Sequence, residues 1–136
     1  MASSWNTRII DEFHAKHGKG IGRFGDRLLL LTTHGAKSGK AHTVPLAFHR
    51  DGDRYVIVAS MGGAPKNPVW YYNLKAHPDA VVIQDGPEPF DAALREVSGS
   101  ERDEWWERAV AAYPPYAEYQ ERTDRTIPVF VAGRRA

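Results

Sequence analysis

The sequence predicts a mainly β, α+β domain: an antiparallel barrel with a helix at its N-terminus and two further helices. Three observations predict it. Short apolar or β-branched segments recur along the chain, with turn residues between them. Hairpin-type connections link them, and the helices are too few for the crossovers of a doubly wound sheet. At 136 residues the chain is long enough for one hydrophobic core and short for two.

The elements follow in order. Trp5, Ile9 and Phe13 fall four apart with Ile10 beside them, while Arg8, Asp11, Glu12 and Lys16 fall elsewhere, which predicts an amphipathic helix ending near Gly18. Its apolar stripe packs on the body of the protein, or serves as a lid or a peripheral membrane contact. GKGIGRFGD (18–26) is a glycine-rich connector. Residues 1–22 thus form the helix and connector, and residues 23–136 the barrel. Strands are predicted at Leu28–Thr33, Thr43–His49, Arg54–Ala59, Ala80–Ile83, Phe90–Val97 and Ile127–Ala132. Asp51-Gly52 marks a hairpin turn between the second and third. Helices are predicted at Asn67–Ala76 and Ser100–Ala112. The first is capped by Asn67 with Pro68 at its first position, the second by a Ser100–Asp103 capping box.

Composition narrows the chemistry. Without cysteine there is no disulfide framework, thiolate nucleophile or cysteine-ligated metal. Lysine and arginine number 18 against 17 acids, a net charge of +1, which does not favour a nucleic-acid partner. MASSWNTRIIDEFHAKHG lacks the apolar core of a signal peptide, and Leu28–Leu31 is too short to span a bilayer. The expectation is a cytoplasmic protein, at most peripheral to the inner face of the cell membrane. His14 and His17 have no third ligand at a diagnostic spacing, so no metal site is predicted.

Two stretches share one character. SMGGAPKNPVWYYNL (60–74) follows a strand with two glycines and a single lysine, then starts a helix. Free amides at a helix start, a glycine turn that admits close approach, and the charge of Lys66 suit a phosphate or carboxylate. THGAKSGKAHTVP (33–45) joins two strands with Gly35, Gly39, Ser38, Lys37 and Lys40. It is not a Walker A loop, because three residues separate its glycines and Ala41 follows Lys40. Two such loops can converge on one polyanionic ligand. Taken singly, each could equally be a shaped turn with solvated lysines. No serine–histidine–aspartate set and no acid–base carboxylate pair is readable, as expected where a cofactor carries the hard chemistry. In YPPYAEYQERTDRTIP (113–128), Tyr113, Tyr116 and Tyr119 recur every three residues across a Pro-Pro break and could line a pocket wall.

LLLLTTHGAKSGKAHTVPL, YVIVASMGGAPKNPVWYYNLKAHP and YPPYAEYQERTDRTIPV together resemble the deazaflavin-dependent nitroreductase family. The resemblance implies a split β-barrel related to flavin-mononucleotide-binding barrels. It implies hydride transfer from reduced coenzyme F-420, an 8-hydroxy-5-deazaflavin, to quinones, nitroaromatics or other electron-poor unsaturated acceptors. By position, Lys37, Ser38 and Gly39 would hold the anionic end of the coenzyme, with Lys40 and His42 beside them. Lys66 would reach the same region, and Asn67, Pro68 and Trp70 would build its wall. Ser60, Met61, Gly62 and Gly63 would flank the ring, and Tyr113, Tyr116 and Tyr119 would face the acceptor. Ala36 and His42 stand where the family commonly has arginine, which removes permanent charge from the anion site. Rival readings are a split barrel that takes FMN instead, and a non-catalytic carrier of the deazaflavin. A monomer or weak dimer is expected.

Overall fold

The computed structural model describes residues 4–19, 28–60, 63–86 and 88–134, with residues 4–6 described for the backbone alone. The connector from residue 20 to 26, the side chain of Trp5, and Met61 and Gly62 therefore lie outside the described residues. The order of elements is α1 (Ser4–Ala15), β1 (Leu28–His34), β2 (Ala41–Ala47), β3 (His49–Asp51), β4 (Arg54–Val58), α2 (Val69–Ala76), β5 (Val82–Gln84), β6 (Pro89–Glu96), α3 (Gly99–Ala112), α4 (Pro115–Glu121) and β7 (Val129–Arg134).

The seven strands form one sheet in the order β2-β1-β5-β6-β7-β4-β3, and every pairing is antiparallel. The outermost strands, β2 and β3, are consecutive in the chain and separated by Phe48 alone. A sheet whose two edges are joined by one residue must curl round on itself, so the sheet is a barrel open along one seam.

Alternation along the strands assigns the layers. In β1, Leu29 and Leu31 point into the barrel, while Leu28 and Leu30 meet Ile9, Ile10 and Phe13 of α1. In β4, Tyr55 and Ile57 point inward, while Val56 and Val58 face α3 and α4. In β7, Phe130 and Ala132 are inside, and Val129 and Val131 outside. Strands covered on both faces read as the unbroken apolar runs LLLL, YVIV and VFVA. β6, with one face exposed, alternates buried and accessible positions along PFDAALRE. α2 contributes Trp70 and Leu74 to the barrel interior. The packing of Ile9, Ile10 and Phe13 on β1 supports a packing role for the N-terminal helix.

Several local expectations are corrected. Thr43–His49 is not one strand: the chain leaves β2 and joins β3 through Phe48, because it must pass from one edge of the sheet to the other. Asp51 is still paired, with Arg54, so the hairpin tip is Gly52-Asp53 and not Asp51-Gly52. α2 starts at Val69 with Pro68 at the capping position, since the Oδ1 of Asn67 accepts a hydrogen bond from Arg125 at 2.8 Å instead of capping. α3 starts at Gly99 after Ser98, two residues ahead of the predicted box. Its first-turn Glu101 is held by both terminal nitrogens of Arg95, at 2.7 and 2.8 Å. The Pro-Pro break is followed by a fourth helix, α4, which the sequence did not predict. Pro115 opens it, in the first turn, where a missing N–H removes no bond.

Candidate functional site

The first basic loop, residues 35–40, is a closed turn. Gly35 and Lys40 bond N–H to carbonyl at 2.8 Å, Gly39 donates back to Gly35 at 2.8 Å, and the Lys40 amide donates to Ser38 Oγ at 3.2 Å. Gly35 is buried because Ser38 Oγ and His42 Nε2 occupy the space that its Cβ would need. Lys37, Ser38, Gly39, Lys40 and His42 are all exposed. The backbone is consumed in shaping the turn, and the cationic side chains are left facing outward.

The loop is anchored to α2. Asn73, 5% exposed, accepts the Ala36 amide through Oδ1 at 3.0 Å, and its Nδ2 approaches Thr33 Oγ1 at 3.5 Å. Asn73 lies four residues, or about 6 Å of helix rise, from Val69 at the start of α2. The helix that the second loop leads into therefore holds the first loop in place.

The second loop, residues 59–68, is held from the opposite side. Arg125 donates to Ala64 O (2.8 Å), Ala59 O (3.1 Å), Asn67 Oδ1 (2.8 Å) and Ser60 O (2.7 Å). Burial pulls its guanidinium pKa below the ordinary range. Gly63 has a φ of +82°, and a Cβ there would stand 2.5 Å from the Tyr119 carbonyl oxygen, so this glycine lets the loop lie directly on α4. Lys66 is exposed, Ser60 and Asn67 are half-buried, and Pro68 is buried. Trp70 is a core residue whose ring lies 5.7 Å from Phe130, so it supports the wall from beneath.

The three tyrosines form one cluster. Tyr113 and Tyr116 meet edge to face at 4.9 Å, Tyr116 and Tyr119 at 6.3 Å, and the Tyr113 and Tyr119 hydroxyls lie 3.5 Å apart. They differ in access: Tyr113 is 37% exposed and Tyr116 only 8%. Tyr119 is half-buried and carries the Arg122 guanidinium over its ring at 5.5 Å.

The two loops and the tyrosine cluster, far apart in sequence, are thus brought together. Sequence reasoning missed the two residues that join them. Asn73 carried a signal, a polar side chain three residues after Trp70 on the inward face of a helix. Arg125 carried none, since an arginine in a polar turn reads as a solvated charge. Among the described residues no group of three histidine, aspartate or glutamate side chains is placed to hold a metal ion.

The donor set fits a polyanionic coenzyme. Lys16, Arg50, Lys75, Arg95 and Arg108 each pair with a carboxylate. Among the described residues Lys37, Lys40 and Lys66 do not, which leaves three exposed cations around the joined loops.

Residues 5–134 match the family model described as F420H(2)-dependent quinone reductase. An F420H(2)-dependent quinone reductase of Mycobacterium tuberculosis (strain ATCC 25618 / H37Rv) is 44% identical over 123 residues, covering 84% of this chain and 82% of that protein. A solved F420-H2 dependent reductase, FDR-A, shares 53% identity at a TM-score of 0.70, covering 78% of this chain and 93% of its own. An FAD-binding protein of Mesorhizobium loti, at 12% identity and a TM-score of 0.57 over 81% of this chain and 80% of its own, shares the fold alone. With its barrel, paired cationic loops and tyrosine cluster, this chain belongs to the F420H(2)-dependent quinone reductase family, oxidoreductases of split-barrel fold whose coenzyme is F420.

Proposed function

We propose that this protein reduces quinones with F420H2, and that nitroaromatic and other electron-poor unsaturated compounds are further acceptors. The observation that carries the reading is the bond between Asn73 and Ala36, which holds both cationic loops on one helix. Lys37, Ser38, Gly39, Lys40 and His42 receive the anionic tail of the coenzyme, and Lys66 adds charge from the second loop. Ser60 and Gly63 flank the ring, and Asn67, Pro68 and Trp70 stiffen the wall behind it.

When bound, the reduced deazaflavin supplies a hydride from a ring carbon. The chain itself has three tasks. Its loops fix the position of the coenzyme, so that donor and acceptor meet in near contact. Its tyrosine rings give a flat acceptor an aromatic face. Their hydroxyls donate hydrogen bonds to an acceptor oxygen as negative charge develops there, and can pass it a proton. Tyr116 has its ring buried in the cluster, while Tyr113 and Tyr119 carry the hydroxyl pair.

Titration of the protein with F420, followed by menadione turnover, tests the reading. Lys37→Ala is expected to raise the coenzyme Kd roughly tenfold or more, as for loss of one charged hydrogen bond, with the menadione KM unchanged. The wild-type Kd should also rise with ionic strength, because exposed cations are screened. An unchanged Kd removes Lys37 from the site. A tightly held yellow flavin in the purified protein would favour the FMN reading, and coenzyme binding without oxidation by menadione would favour the carrier.

A further inference from the structure

We infer that Arg125 is a positioning residue for the coenzyme: its guanidinium sets the shape of the 59–67 loop and locks it to the tyrosine helix. The inference rests on the placement of the coenzyme at that loop. β4 ends at Val58, and the next ten residues contain two glycines and two prolines, a composition that does not define one backbone conformation. Arg125 supplies what the local sequence lacks. Its three side-chain nitrogens reach three carbonyls and one amide oxygen spread from Ala59 to Asn67. No other side chain type offers a rigid planar fork of five donors.

The far end of the fork is fixed as well. The Arg125 carbonyl accepts from Gln120 Nε2 of α4 at 2.7 Å, and the Gln120 Oε1 accepts from the Ile127 amide at 3.0 Å. Gln120 follows Tyr119, whose carbonyl faces Gly63. A closed circuit therefore runs from the loop to Arg125, to Gln120, to Tyr119 and back to the loop. All four acceptors of the guanidinium are neutral, so its role is geometric and not that of an ion-pair partner. A coenzyme held by this loop and an acceptor held by the tyrosines would thus share one rigid frame. A small loss of alignment in such a frame costs rate steeply.

The test is Arg125→Lys, which keeps the charge and replaces the fork by a single nitrogen. Asn67→Ala removes one of its four acceptors, and Tyr55→Phe serves as the control for destabilisation alone. Tyr55 is a structural donor outside that circuit, bonded to Asp85 with its ring between Phe48 and Phe90. Arg125→Lys is expected to raise the F420 Kd about tenfold and to lower menadione kcat, with the menadione KM within twofold of wild type. Asn67→Ala should shift Kd in the same direction by less. Tyr55→Phe should lower Tm yet leave Kd in place. A wild-type Kd in Arg125→Lys overturns the inference, and so does an equal shift in Tyr55→Phe. If Lys37→Ala and Lys66→Ala both leave Kd unchanged, the loops are not the coenzyme site and the proposed function falls instead. Should Arg125→Lys fail to fold, the Kd of Asn67→Ala decides: a wild-type value overturns the inference.

Discussion

The buried side chain of Asn73 accepts the backbone N–H of Ala36 at 3.0 Å, so one amide on α2 ties down a loop 37 residues earlier in the chain. Asn73→Leu keeps the volume and removes the acceptor. The substitution is expected to cost roughly 1–3 kcal/mol, the range for orphaning a partly buried hydrogen-bonding group. Thermal unfolding should show a Tm lower by several degrees. F420 titration should show weaker binding, because the first loop loses its anchor. Weaker stability with unaltered coenzyme affinity would separate the anchor from the site.

Tyr116 sits between Tyr113, Tyr119 and Trp106, with ring centroids at 4.9, 6.3 and 6.3 Å. Tyr116→Phe leaves that packing and removes only the hydroxyl, so turnover with menadione should fall while Tm changes little. Tyr116→Ala should cost about 3–5 kcal/mol through the cavity it opens. Full turnover in Tyr116→Phe would assign Tyr116 to packing and leave the donor role to the Tyr113 and Tyr119 pair.

Tyr55 donates a short hydrogen bond, 2.5 Å, to Asp85, and Arg50 lies over its ring at 5.1 Å and within 3.5 Å of Asp85. Burial, followed by the Asp85 bond and charge, pushes the Tyr55 pKa up to about 12 from 10.0. The folded state therefore prefers the neutral phenol. This contribution is fully present below pH 10 and is lost as pH rises through about 12. Tyr55→Phe should cost roughly 1–3 kcal/mol at neutral pH by removing the phenol that donates to Asp85. The stability gap between wild type and variant should then narrow between pH 10 and 12. Denaturant melts across that range check it, and a constant gap would show that the phenol is not the titrating group.

Much of this molecule was legible in the chain. LLLL, YVIV and VFVA are buried on both faces, as unbroken apolar strands must be, and DG at 51–52 located a hairpin to within one residue. α4 was not legible, because Pro114-Pro115 reads as a stop from upstream and as a start from downstream. The cap of α2 was misplaced for a physical reason. Asn67, well suited by type to cap a helix, is engaged by Arg125 from elsewhere in the fold.

By itself the sequence determined the barrel class, the two glycine- and lysine-bearing loops and the tyrosine triplet, because period, turn chemistry and charge are properties of neighbouring residues. Only the tertiary structure decided that these pieces are tied to one another. The bonds that unite them, Asn73 to Ala36 and Arg125 to the 59–67 loop, join groups 37 and 58 to 66 residues apart. No local pattern encodes such a bond, since its partners become neighbours only when the sheet has curled and buried its core.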